Sequence, residues 1–224
     1  REAQVLRSVH DAHISRFLDA DIAGTPAWLA TEYIPGPNLR DAVSIWGPLT
    51  SERWWELARG LAQALAVLEI HGIVHRDIKP ANVILCRQGG IYDFPKVVDF
   101  GLVKDLEPSG DPALTRADLI AGTPLYIAPE AITSPESVGP QSDIYSLGAV
   151  GYFALTGQHV FQGRTLVEVC SHHLHTSPEP PSKRANSRPR PRATSPATTP
   201  TSARPSQYCR PACRSGALRP SNGR

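Results

Sequence analysis

Within HGIVHRDIKPANVIL, residues 71 to 85, an Asp, a Lys and an Asn fall inside six positions between two apolar runs. A carboxylate, an ammonium and an amide at that spacing match the needs of phosphoryl transfer from a nucleoside triphosphate to an alcohol. That reaction uses a carboxylate to orient the hydroxyl and accept its proton. It also needs oxygen ligands for the metal ions that neutralise the phosphates, and a cation beside the moving group. Asp77 is the candidate base, Lys79 the cation and Asn82 a metal ligand, while Asp99 in VVDFGLV adds a second ligand carboxylate from a later turn. Mg²⁺ suits such a set, in which one or two protein oxygens are completed by phosphates and waters.

Several elements must bring these residues together. REAQVLRSV places Val5, Leu6 and Val9 at helical spacing, and AWLATEYI mixes β-branched and aromatic residues before the turn signal PGPN, so it reads as a strand entering a tight connection. Over residues 51 to 71, Trp54, Leu57, Leu61, Leu65 and Leu68 recur every three or four positions, which predicts a packed helix stopped at Gly72. The short runs IV, VIL and KVVDF that follow read as small strands carrying exposed loops. From Gln141 to Gly157 the chain is apolar nearly all round and predicts a central, buried helix, with Asp143 near its start as a natural cap. A last helix is expected over RTLVEVCSHHL.

Four motifs in order, HRDIKPAN at 75 to 82, DFG at 99 to 101, GTPLYIAPE at 122 to 130 and SDIYSLG at 142 to 148, resemble the eukaryotic-like protein kinase family in its bacterial serine/threonine form. The resemblance spans roughly residues 1 to 175. It implies an α+β, two-lobed fold: a partial N-lobe over 1–35 and a mostly helical C-lobe over 36–175, followed by a basic, Pro-rich, disordered tail over 176–224. Its residue roles make Asp77 the proton acceptor, Lys79 the γ-phosphate contact, and Asn82 and Asp99 the Mg²⁺ ligands. Backbone groups of Glu32, Tyr33 and Ile34 would meet adenine at a hinge preceded by Thr31, and Ile84 would also contact the nucleotide. Glu2 falls at the carboxylate of the family's αC helix. His75 is structural, and Asp143 would hold the catalytic-loop backbone. In the activation segment, Thr123 marks the serine/threonine pattern, Glu130 would pair with a later Arg, and Thr115 is the candidate acceptor of a phosphate that Arg76 would bind. ATP and Mg²⁺ are the implied cofactors and protein Ser or Thr hydroxyls the implied substrates.

Composition divides the chain at the same place. From Lys183 to Arg224 there are 10 basic residues, against the single acid Glu179 in the stretch after residue 175; residues 1 to 175 hold 13 bases and 20 acids, a balance of −7. Ten of the 22 prolines lie beyond residue 175, where Tyr208 and Leu218 are the large apolar side chains, so burial cannot offset the entropy of ordering this stretch. It fits either a disordered linker or out-of-frame translation, and its onset before the last helices of the family favours the second. With Tyr208 as its lone aromatic, it does not suggest specific nucleic-acid recognition. The cysteines at 86, 170, 209 and 213 form no disulfide framework, CSHHLH reads as a solvated helix face, and no apolar run is long enough to span a membrane. These features point to a reducing, cytoplasmic setting.

The chain opens at Arg1 and holds no Met, so its natural beginning is expected upstream. No G-x-G-x-x-G occurs, and Lys79, Lys96, Lys104 and Lys183 lie too late to replace the family's β3 lysine. The expectation is therefore a phosphorylation enzyme by family, present as an inactive fragment that folds poorly alone. Two rival readings are a non-catalytic kinase-fold binding module and a small-molecule phosphotransferase. Lys79 and the peptide-docking segment GTPLYIAPE speak against the latter.

Overall fold

The computed structural model describes residues 7–21, 24, 28–99 and 124–185. All of them belong to a unit covering residues 1–189, distinct from residues 190–224. Glu2, Thr115 and Thr123, together with most of the first expected helix, lie outside the described residues.

Two strands, β1 (Phe17–Asp21) and β2 (Trp28–Thr31), form an antiparallel pair in which Phe17 opposes Thr31. The chain then runs without regular structure into α1 (Leu39–Trp46), where Asn38 caps the helix by accepting from Asp41 N at 2.9 Å. Next comes α2 (Ser51–Ile70), capped by Thr50 Oγ1 on Arg53 N. Leu57, Leu61, Ala64, Leu65 and Leu68 form its inner face and are each at most 6 % exposed, as the three-or-four-residue spacing predicts. The helix ends in a left-handed turn at Gly72, with φ of 69°. Gly72 N donates to Glu69 O and Ile73 N to Leu68 O, both at 2.9 Å, so the orphan carbonyls are satisfied as the chain turns toward HRDIKPAN.

A 3₁₀ turn at Pro80–Asn82 leads into the antiparallel hairpin of β3 (Val83–Gln88) and β4 (Ile91–Val97). The runs VIL and KVV thus become strands. Ile73-Val74 does not, because the backbone that follows it bonds to a side chain from another helix rather than to a strand. Further helices are α3 (Pro129–Thr133), α4 (Pro140–Thr156), α5 (Leu166–His175) and α6 (Pro181–Ala185). Composition argued against any helix in the stretch holding α6. Pro181 stands at its first position, where a missing N–H costs nothing, and Arg184 Nη1 ties it back to His159 O at 3.1 Å.

The core lies where α2 crosses α4 and the hairpin. Val150, Phe153 and Ala154 of α4 join Leu57, Leu61 and Leu68 of α2 with Val83, Leu85 and Val97 of the strands. Contact between α2 and α4 is close: a Cβ on Gly151 would stand 2.5 Å from the Trp54 indole. The segment before β1 lies along β4, with Val97 N donating to His13 O at 2.8 Å and Ser15 N to Val97 O at 2.9 Å. Among the described residues no helix is long and apolar enough to cross a membrane.

Candidate active site

The loop from Ile73 to Lys79 has no regular structure of its own, so its polar backbone needs partners from elsewhere. Asp143, 3 % exposed in α4, supplies them. Its Oδ2 accepts from His75 N at 2.7 Å and its Oδ1 from Arg76 N at 2.9 Å. Burial raises the Asp143 pKa, opposed by these two bonds. Asp143 is therefore not a helix cap: α4 begins at Pro140, with Gly139 at the cap position.

Between the two anchored amides the chain turns sharply, and Arg76 adopts a φ of 63°, a region that L-residues seldom occupy. His75 is fully buried, and burial depresses its pKa to about 4. Its ring accepts from Asp77 N at Nδ1 (3.3 Å), and Nε2 faces Val98 O at 3.2 Å. The neutral tautomer with hydrogen on Nε2 satisfies both contacts.

Ile78 is 4 % exposed, and its burial turns its neighbours Asp77 and Lys79 to the opposite side. Lys79 Nζ donates to Asp77 Oδ2 at 2.7 Å. Asn82, itself buried, donates from Nδ2 to the same Oδ2 at 2.9 Å and to Asp77 O at 3.0 Å. One carboxylate thus sits between an ammonium and an amide. Because the amide nitrogen is engaged, Asn82 Oδ1 is the atom left to meet a cation, the hard oxygen that Mg²⁺ takes.

Asp99 is brought to this loop by its neighbour. Val98 N donates to Asn82 O at 3.0 Å, and Val98 O meets His75 Nε2. Asp99 follows directly, exposed and with a φ of 57°. Among the described residues no three His, Cys, Asp or Glu side chains cluster as a metal site; the arrangement at the loop is instead one carboxylate and one amide.

On the other side, Glu32 N donates to Arg16 O at 2.9 Å, and the Glu32 carboxylate pairs with Lys96. Tyr33 is 90 % exposed. Neither Tyr33 nor Ile34 engages its backbone N–H among the described residues. The connection then presses on β3: Leu85 N donates to Pro37 O at 2.9 Å, Asn38 bridges to Ile84, and a Cβ on Gly36 would lie 2.2 Å from Leu85 O. Ile84 therefore adjoins the same segment as Glu32 to Ile34.

The family resemblance pairs Glu130 with a later Arg. It is half-buried and accepts from Ser142 Oγ at 2.6 Å, so it is not an uncompensated buried charge. Sequence reasoning missed this partner, and it missed Ser146, whose hydroxyl meets Tyr126 O at 2.7 Å and Ser142 O at 2.9 Å. The signal was present: two serines four residues apart in a helix buried all round must find acceptors. The Glu32–Lys96 pair was missed as well, because Lys96 was weighed only as a substitute for another lysine.

The sequence pattern of the protein kinase domain matches residues 1–203. The chain belongs to the protein kinase family. Its relatives include the probable serine/threonine-protein kinase PkwA of Thermomonospora curvata, 40 % identical over 181 residues, which are 81 % of this chain and 23 % of that protein. Serine/threonine-protein kinase AfsK of Streptomyces griseus is 39 % identical over 75 % of this chain and 20 % of its own length. PknB of Mycobacterium tuberculosis is 37 % identical over 82 % of this chain and 29 % of its own length. The chain thus spans less than a third of each of these relatives. Among solved structures, the Rad53 kinase domain with SCD2 in complex with AMPPNP superposes with a TM-score of 0.61 at 25 % identity, covering 82 % of this chain and 64 % of that one. Rad53 1–466 in complex with AMP-PNP gives a TM-score of 0.59 at 26 % identity over 76 % of this chain and 41 % of that one. The fold is the α+β, two-lobed kinase fold, and the described residues cover mostly its helical lobe.

Proposed function

We propose that this chain carries the catalytic half of an ATP-dependent protein serine/threonine kinase. A single observation carries the reading: Lys79 and Asn82 converge on the Asp77 carboxylate, in a loop that Val98 joins to Asp99. Asp77, oriented by those two donors, takes up the acceptor hydroxyl and receives its proton. Lys79 also faces the transferred phosphoryl group and offsets its charge. Asn82 Oδ1 and the Asp99 carboxylate would hold Mg²⁺, which when bound neutralises the triphosphate and polarises it for transfer. Adenine meets the Glu32 carbonyl and the Ile34 backbone, because the Glu32 N–H is already committed to Arg16 O; Ile84 lies against the base. A phosphate on Thr115 would form charge-assisted hydrogen bonds to Arg76.

Lys79, two residues after Asp77, and the names of the relatives support a Ser or Thr acceptor on a protein. The test is binding of AMP-PNP to the full chain with and without Mg²⁺, compared with Asp99→Ala. We expect Mg²⁺ to strengthen binding about tenfold or more, roughly 1.4 kcal/mol, and Asp99→Ala to lose that gain. Equal Mg²⁺ dependence in both proteins overturns the reading.

A further inference from the structure

Lys96 has no part in the roles above, yet among the described ion pairs it is the least exposed member, at 12 %, and its partner Glu32 is 25 % exposed. Removing one member of so sheltered a pair leaves the other charge uncompensated, so the two side chains are bound to each other more firmly than a surface pair. Its position explains what that pairing does. Lys96 lies in β4, directly opposite Ile84 of β3. Ile84 is also the residue to which Asn38 bridges. The connection from Glu32 to Asn38 is therefore strapped at both ends to one rung of the hairpin, by the Lys96 side chain at its start and by Ile84 at its close. Two residues beyond Lys96 stands Val98, whose backbone holds Asn82 and His75, and then comes Asp99.

We infer that Lys96 is a positioning residue for nucleotide: through Glu32 it fixes the base-recognising backbone of residues 32–34 relative to the strand that presents Asp99. The backbone offered to the base and the carboxylate offered to the metal are thereby tied to one hairpin. In this role the side chain acts through the Glu32 carboxylate. This inference rests on the kinase reading above.

The experiment measures binding of adenosine, and of AMP-PNP with and without Mg²⁺, to the full chain and its variants. Lys96→Met is expected to weaken adenosine about tenfold and to shrink the factor by which Mg²⁺ strengthens AMP-PNP. Lys96→Arg, which can still reach Glu32, keeps both near wild type. Since Lys96→Met alone leaves a sheltered carboxylate unpaired and could unfold the chain, the double variant Lys96→Met with Glu32→Leu removes both charges. It should fold and show the same two losses. A folded variant that binds adenosine normally and keeps the full Mg²⁺ factor overturns the inference, even if its melting temperature falls, because a merely structural pair would behave that way. If the wild-type chain binds with a Mg²⁺ gain that Asp99→Ala abolishes, that failure is confined to Lys96. A wild-type chain that binds no nucleotide overturns the kinase reading and this inference together.

Discussion

Two irregular segments of the chain are held in opposite ways. The loop at 73–79, to which we assign catalysis, is gripped by side chains: Asp143 takes two of its amides, His75 takes another, and Lys79 and Asn82 fix Asp77. The connection at 32–37 is held from behind, by Lys96 on Glu32 and by Leu85 N on Pro37 O, while the backbone N–H groups of Tyr33 and Ile34 stay available. The first arrangement suits proton and charge handling, which needs fixed side chains. The second suits recognition of a base edge, which needs an open backbone.

The sharpest way to break this contrast is Asp143→Ala. It strips acceptors from two amides in a buried setting, at about 1–3 kcal/mol for each unsatisfied donor, and removes the restraint on the left-handed Arg76. Urea denaturation should show a loss of about 2–5 kcal/mol, and Asp143→Asn, which keeps one acceptor oxygen, a smaller one. A loss below about 1 kcal/mol would mean that the loop is not hung from α4.

Next in size is the pH response of His75. Its folded pKa of about 4 lies below its ordinary 6.5, so the unfolded chain binds the extra proton first. Stability is complete above pH 6.5 and falls as pH drops from 6.5 toward 4, by on the order of 3 kcal/mol. Asp143 works against this. Its carboxyl pKa is raised by burial, so the folded chain binds that proton more readily as pH falls between the raised and ordinary values. Denaturation at pH 7, 6, 5 and 4 in wild type and His75→Gln isolates the His75 share: the fall that begins near pH 6.5 should be markedly steeper in the wild type, because His159 and His173, also lowered by burial, contribute equally to both proteins.

The same contrast explains what the sequence disclosed. Asp77, Asn82 and Asp99 stood out because catalytic-loop chemistry depends on side-chain identity, and identity is what a sequence prints. The leucine period of α2 and the all-apolar character of α4 were legible for a similar reason, since burial selects residue type directly. The connection at 32–37 gave up less, because the base recognition proposed for it would be done by backbone groups that any residue carries, and its support comes from Lys96, sixty-four residues after Glu32. Ser142 and Ser146 were hidden by the helix around them, whose apolar residues dominated the reading. Ile73-Val74 misled in the other direction: an apolar pair suggests a strand, and nothing in the pair tells of the Asp143 carboxylate that takes the following amides instead.

On the hinge side the effects should be smaller and should appear in binding before stability. Gly36→Ala places a methyl 2.2 Å from Leu85 O, at a φ of 153° that only glycine readily holds. Relief requires the connection to lift off β3, at about 1–3 kcal/mol. Adenosine affinity should fall with it, whereas the contacts around Asp77 are untouched. Thermal melting together with adenosine titration checks both parts; a normal affinity would mean that the seat on Leu85 does not set the base-binding backbone.

The smallest expected effect gives the cleanest discrimination. Tyr33 projects almost wholly into solvent, at 90 % exposure, from the middle of the open segment. If this segment is held through Glu32 and Pro37 rather than by its own side chains, Tyr33→Ala should change stability by no more than about 0.5 kcal/mol, as for other surface substitutions. Adenosine binding should also persist, because the backbone groups offered to the base remain in place. A stability loss above about 1 kcal/mol in urea titration would mean that the Tyr33 ring packs against something that helps hold the hinge, and the division between a side-chain-gripped loop and a strapped, open connection would no longer stand.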